Sequence, residues 1–279
     1  MMKKQLKVAV AQIAPKLADV EQNCTKHIEY ILKARAEGVD VLLFPELSLT
    51  GYSLNNEVPN VAAKRDAKMF SLLSEVAPEM LISVGFVEEA APGEFYNAQA
   101  TLGEGQVVHV HRKLNLPTYG GLEEGKWYGQ GQQLTMCSHM EGWPVHTLIC
   151  ADLWNPALPH LAMLDKPTLL LAPVNSAADI VSDEFSNPSG WKTNTDFISM
   201  TYGVPLLMAN SCALEGSSRF WGGSRILDAF GHLLAEAGDE EELLIADIYI
   251  DDIINARFQL PTIRDANNPL IAKLLNERL

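Results

Sequence analysis

Clustered positive charge is missing from this chain. Across 279 residues, 21 Lys+Arg stand against 35 Asp+Glu, a formal net charge of −14, and no basic stripe occurs. That balance argues against nucleic acid and anionic membrane surfaces as partners, because both demand grouped Lys and Arg. Cysteine is scarce too. Cys24, Cys137, Cys150 and Cys212 are scattered, with no C-x-x-C pair, so a disulfide scaffold is excluded. No apolar run approaches the roughly 18 residues of a membrane span. The opening MMKKQLKVAVAQIAP imitates a secretory leader, with two lysines before an apolar stretch. The stretch is short, is interrupted at Gln12 and ends at Pro15 without a small-residue cleavage site, so it reads as a first strand. The expectation is a reduced, cytoplasmic protein with free thiols.

What remains is an ordinary globular composition, 47% hydrophobic and 20% charged. A chain of this length can bury roughly three-quarters of its unfolded surface without staples. The first fifty residues read as strand, helix, strand: Leu6 to Ile13, then a helix capped by Asp19 and ended at Gly38, then Val39 to Phe44. The apolar spacing predicts a helix over 62–77 and a strand over 81–88. A hairpin is expected from 97–102 and 106–111, then a Gly-rich loop over 119–131. Strands over 144–149, 168–174 and 205–210 alternate with helices over 156–164 and 191–202. A second hairpin (224–227 and 233–236) and a strand over 244–250 close the pattern. Such alternation builds sheets covered by helices. No repeat or linker divides the chain, so one domain over 1–279 is expected, with 251–279 as a C-terminal arm that packs on its own domain or reaches a neighbour.

Several common sites are absent. There is no G-x-S-x-G elbow, no G-x-x-x-x-G-K-S/T loop and no complete G-x-G-x-x-G. His109 and His111 would share one face of a strand, but two imidazoles are too few for zinc, and exposed strand histidines are the plainer reading. Cys150 is the sharper candidate, since it ends the apolar run VHTLI and precedes Ala-Asp-Leu-Trp. An isolated cysteine usually just fills core. Here Glu46 closes another strand in F-P-E-L-S-L-T-G-Y, and Lys113 follows a third in H-R-K-L-N-L-P. A thiol needs a base, and a developing oxyanion needs positive charge. In α/β sheets such groups gather beyond the carboxyl ends of strands. Cys24 reads as core, and Cys137 and Cys212 lack reactive context.

These three segments, P-E-L-S-L-T-G-Y, H-R-K-L-N-L-P and L-I-C-A-D-L-W, resemble in kind and order the Glu, Lys and Cys motifs of the nitrilase superfamily of carbon–nitrogen hydrolases. Further similarity lies in the opening V-A-V-A-Q-I-A-P and in Phe220-Trp221-Gly222-Gly223-Ser224 followed by Asp228-Ala229-Phe230-Gly231. The resemblance covers about residues 5 to 250. It implies a four-layer α-β-β-α sandwich, commonly paired into a homodimer or higher homo-oligomer. It also implies Cys150 as nucleophile, Glu46 as general base and Lys113 as oxyanion stabiliser. A second glutamate is expected in the loop after the lysine, where Glu123 and Glu124 both stand and alignment favours Glu124. No metal and no organic cofactor is implied.

The implied activity is hydrolysis of a small-molecule carboxamide through a cysteine thioester. A nitrile substrate, acyl transfer to an amine and a non-catalytic binding role are the alternatives. N-L-P-T-Y-G and C-A-D-L-W-N-P resemble the glutamine-hydrolysing domain of NAD synthetases more than they resemble aromatic nitrilases. The chain ends where the ATP-binding part of those enzymes would follow. A free-standing amidase, or a glutaminase supplying ammonia to a separate partner chain, is therefore expected. Tyr119, Trp154 and Asn175 are candidate substrate-binding residues, with Tyr52 and Trp191 as further pocket walls. Two departures from relatives, Asp196 after Trp191-Lys192 and the stretch Asn210-Ser211-Cys212-Ala213-Leu214, are expected near the pocket.

Overall fold

The computed structural model describes residues 3–178, 181–182 and 184–279. β1 (Gln5–Gln12) leads into α1 (Val20–Ala36), whose first turn is capped by the Asp19 carboxylate accepting from the Gln22 N–H. β2 (Val41–Leu43), a short α2 (Val58–Val61) and α3 (Lys68–Val76) follow. The helix expected over 62–77 is thus interrupted. Ala63 exchanges backbone hydrogen bonds with Val87 and Glu89, which holds the chain extended there and delays the helix to Lys68. Next come β3 (Leu81–Ala91), β4 (Glu94–Gly103), β5 (Gln106–Arg112), β6 (Val145–Thr147), α4 (Ala157–Leu164) and β7 (Leu169–Val174). Then α5 (Asn187–Tyr202) starts four residues before the expected Trp191, with Ser186 as its cap and Pro188 in its first turn. β8 (Leu206–Asn210), the small hairpin β9 (Leu214–Glu215) and β10 (Ser218–Arg219), β11 (Arg225–Leu227), β12 (Leu233–Glu236) and β13 (Glu242–Tyr249) complete the strands. The tail forms α6 (Ile250–Gln259), α7 (Thr262–Asp265) and α8 (Asn268–Asn276).

Six strands in the order β13-β1-β2-β3-β4-β5 make one sheet, and five in the order β12-β11-β8-β7-β6 make the other. The first is parallel at its centre, through β1, β2 and β3, with antiparallel strands on both sides; the second is parallel from its β6 edge through β7 to β8, with antiparallel β11 and β12 beyond. The period of two along β1 explains how the layers stack. Leu6, Val8 and Val10 face the second sheet, meeting Val145, Leu169, Leu171, Leu207 and Ile226. Ala9 and Ala11 face the other way, toward Tyr30, Ile31 and Ala34 of α1 and Phe70 and Leu73 of α3. On the far side, Leu170, Ala172, Leu206 and Met208 pack against Ala162 and Met163 of α4 and Trp191 and Ile198 of α5. The result is the α-β-β-α sandwich that the resemblance implied.

The C-terminal arm divides in two. Ile253 and Ala256 of α6 enter the inter-sheet core and Ile263 packs beside α5, whereas α8 buries no residue. Among the described residues, no helix is long and apolar enough to cross a membrane.

Candidate active site

The carboxyl ends of β2, β5, β6 and β7 converge on one point, and each delivers a polar group. After β2 the chain turns sharply at Glu46, and Leu47 takes a left-handed φ of 50°. Gly85 on β3 makes that turn fit, since a Cβ there would lie 2.2 Å from the Leu47 nitrogen and 2.6 Å from the Pro45 oxygen. Ser48 locks the next residue, accepting from the Gly85 N–H at 3.1 Å and meeting His27 Nε2 at 2.9 Å. The Glu46 carboxylate is fully buried. Lys113 follows β5, also fully buried, and its carbonyl accepts from the Gly131 N–H at 2.8 Å. A Cβ on Gly131 would come within 2.4 Å of the Arg112 oxygen, so this close passage requires glycine.

Lys113 joins two carboxylates. Its Nζ lies 2.7 Å from Glu46 Oε1 and 2.6 Å from Glu124 Oε1. Of the two candidate loop glutamates, Glu124 is buried in a single 3-10 turn, while Glu123 is exposed and faces Lys126. Tyr52 donates its hydroxyl to Glu124 Oε1 at 2.5 Å, and Asn97 donates its amide to Glu46 Oε1 at 2.7 Å. Asn97, Lys113 and Tyr52 are thus linked through the two carboxylates. Glu46 Oε2 and Glu124 Oε2 are buried with no partner among the described residues.

Cys150 opens a 3-10 turn (Cys150–Trp154) straight after the short strand β6, with a left-handed φ of 46°. That conformation is rare for a side chain other than Asn or Gly, and held strain of this kind clusters at functional positions. The residue is partly exposed at a narrow cavity of about 30 Å³, whose wall also includes Tyr52, Tyr119, Glu124, Asn175 and Trp191. Asn175, at the end of β7, donates its amide to the Glu46 carbonyl at 2.6 Å. A second cavity, of about 210 Å³, shares Tyr52, Leu122 and Glu124 as a partition.

The charges follow from this enclosure. Burial, then the neighbouring Glu46, pushes the Cys150 thiol well above its ordinary range, with Lys113 opposing. The thiol is therefore protonated at rest and needs a base. Burial would strip Lys113 of its proton, but Glu124 and Glu46 overcome that and hold it well above the usual ammonium range. Burial raises Glu124 to about 7, against the pull of Lys113 and with the help of Glu46. Tyr52 is raised well above the ordinary phenol range by burial and the same two carboxylates, so it remains a donor.

Glu46, Lys113, Glu124, Cys150, Tyr119 and Asn175 are therefore brought together, as are Tyr52 and Trp191. Trp154 is placed elsewhere. Its ring packs edge-on against Trp191 and Phe185 and lines a shallow depression with Gly190 and Phe197, because the 3-10 turn carries it away from the cavity. Asp196 also points away, held by Arg225 Nη1 at 2.9 Å, and Cys212 is absent from the cavity wall. The histidine pair needs correction as well. His111 is buried and bonded to Asp152, and His109 meets Thr135. Among the described residues, no group of three or more His, Cys, Asp or Glu side chains could hold a metal. Sequence reading passed over Asn97, Gly85 and Gly131. Asn97 owes its place to the register of β3 against β4, where it pairs with Val87 two residues past Gly85, and no motif along the chain marks it.

Comparison with known proteins matches this geometry. A carbon–nitrogen hydrolase model matches residues 7–258. The chain belongs to that family. It is 29% identical, over 89% of its length, to a glutamine-dependent NAD(+) synthetase of Thermotoga maritima, of which it covers 43%. A glutamine-dependent NAD+ synthetase structure from Acinetobacter baumannii superposes with a TM-score of 0.81 at 28% identity, covering 90% of this chain and 47% of that one. A carbon–nitrogen hydrolase from Helicobacter pylori shares the fold end to end, with a TM-score of 0.84 at 21% identity over 97% of this chain and 98% of that one. The chain thus spans less than half the length of the NAD synthetases it matches. As a family member it is a hydrolase acting on carbon–nitrogen bonds.

Proposed function

We propose that this hydrolase is an amidase that converts a small-molecule carboxamide to its acid and ammonia through a thioester on Cys150. The observation that carries the reading is the Lys113 ammonium, buried between Glu46 and Glu124, with Glu124 in the wall of the cavity that exposes Cys150. Glu46 accepts the thiol proton as sulfur attacks the amide carbon. The developing oxyanion is met by Lys113 and the Ala151 N–H at the start of the 3-10 turn. Collapse breaks the C–N bond, and Glu46 hands its proton to the departing nitrogen. Glu46 then takes a proton from water, whose oxygen attacks the thioester; the acid leaves and the thiol is restored. Glu124 orients Lys113, and Tyr52 orients Glu124. Tyr119 and Asn175 border the acyl group. The catalytic groups proposed are all supplied by the polypeptide itself, so activity is expected to survive a chelator.

The test is ammonia release from a panel of primary amides and nitriles, including glutamine and ω-amides of dicarboxylic acids, by wild type and Cys150→Ala in parallel. Release by wild type alone supports the reading, and nitriles outpacing amides would replace amidase by nitrilase. No release by either would sink it for these substrates. A second reading has a specific observation behind it. The 29% identity to a glutamine-dependent NAD(+) synthetase favours glutamine as the amide, with ammonia passed to a separate chain.

A further inference from the structure

Lys113 and Cys150 follow edge strands of different sheets: β5 ends one sheet order and β6 ends the other. No strand ladder therefore fixes the distance between the two residues, although the chemistry proposed above depends on it. We infer that Asp152 is a positioning residue that ties the Lys113 segment to the Cys150 segment and sets their spacing.

Asp152 is fully buried, and its carboxylate bonds to both segments. Oδ1 accepts from the Leu114 N–H at 3.0 Å and the Asn115 N–H at 2.8 Å, the two residues that follow Lys113. Oδ2 accepts from the Ile149 N–H at 3.0 Å, immediately before Cys150, and faces His111 Nε2 at 2.9 Å, two residues before Lys113. For that bond His111 carries its proton on Nε2 and donates. Asn115 adds a parallel tie, donating Nδ2 to the Ala151 carbonyl at 2.9 Å. A carboxylate has about four acceptor positions, and all are engaged. Asp152 has none left for substrate, so it acts through Lys113 and Cys150 rather than on the reacting atoms. Spacing of this kind matters, because a misplacement of about 1 Å can cost a factor of roughly 100 in rate.

Asp152→Asn discriminates. An amide can still accept on one oxygen, but its NH2 turns donors against donors at the other, so one segment is released while the volume is kept. The inference rests on the proposed roles of Lys113 and Cys150, so the readout avoids the substrate. Iodoacetamide alkylation of Cys150 is followed against pH by peptide mass spectrometry, with Cys24 and Cys212 as internal controls and Lys113→Met as the reference for a thiol without its cation. In folded Asp152→Asn, shown by an unchanged circular dichroism spectrum, Cys150 should react about tenfold more slowly at pH 7. Its profile should shift toward that of Lys113→Met, while Cys24 and Cys212 keep their rates. A wild-type profile in the folded variant overturns the inference. If Asp152→Asn is recovered only unfolded, Asn115→Ala takes its place. It removes the parallel tie from a partly exposed position, and a twofold to fivefold slowing is expected; wild-type rates there overturn the inference. Absence of ammonia release from every amide and nitrile by wild type would strike the amidase reading alone, since alkylation reports the spacing regardless.

Discussion

Gly85 and Leu47 lie so close that a single methyl group on Gly85 would sit 2.2 Å from the Leu47 backbone nitrogen. The obstruction is backbone, with Pro45 and Glu46 on the same side, so no side chain can swing away. Gly85→Ala should therefore destabilise the fold at or above the upper end of the usual overpacking range, about 3 kcal/mol. It should also displace Glu46. Urea denaturation and ammonia release measured on the same preparation check both. An alanine variant with wild-type stability and turnover would show that this close approach does not matter.

How legible the site was follows from this geometry. Glu46, Lys113 and Cys150 could be read because each follows a strand within a short segment that resembles one of the family's three motifs, all visible along the chain. The apolar run from Leu6 to Ile13 likewise reads as a strand, and its two faces, Leu6, Val8 and Val10 on one and Ala9 and Ala11 on the other, are both covered. Gly85 and Asn97 were not legible, because their importance comes from the register of β3 against β4 and from the turn crossing over them. Trp154 was misplaced by position. Four residues beyond Cys150 is one direction on a strand and another after a 3-10 turn. The helix expected over 62–77 broke because Ala63 found β3 as a partner, a long-range choice that overrides local spacing.

Glu124 should make stability depend on pH. Its carboxyl is raised from 4.5 to about 7, chiefly by burial. The folded state then holds a proton that the unfolded chain has already released. This contribution is full below pH 4.5 and is lost as pH rises toward 7, on the order of 3 kcal/mol in all. Glu124→Gln cannot lose that proton. The difference in unfolding free energy, wild type minus Glu124→Gln, should fall between pH 4.5 and 7 and level off above. A flat difference across that window would contradict the raised carboxyl.

Lys113→Met separates stability from chemistry. Removing the ammonium leaves Glu46 and Glu124 facing each other in a buried site, which should cost about 3–5 kcal/mol. Adding Glu124→Gln removes one of the two charges and should restore most of the stability. It cannot restore the cation proposed to meet the oxyanion. Turnover should therefore stay depressed by about 100-fold or more in the double variant, even with the midpoint recovered. Recovery of both together would make Lys113 a purely structural residue.

The last expectation concerns self-association. α6 presents Ile254 and Phe258, one helical turn apart, at 59% and 80% exposure, and α5 presents Phe197 and Met200, also one turn apart. Single exposed apolar side chains are ordinary, but paired rows on two helices are the kind of surface that proteins cover. A homodimer that covers such exposed rows is expected in sedimentation velocity. Phe258→Glu places a charge where burial would be required, so it should shift the population to monomer. Because Phe258 is 80% exposed and belongs to neither neighbouring core cluster, the monomer should keep its unfolding cooperativity. A wild type that sediments as a monomer at micromolar concentration would refute the expected dimer. A dimer indifferent to Phe258→Glu would place the interface on another face.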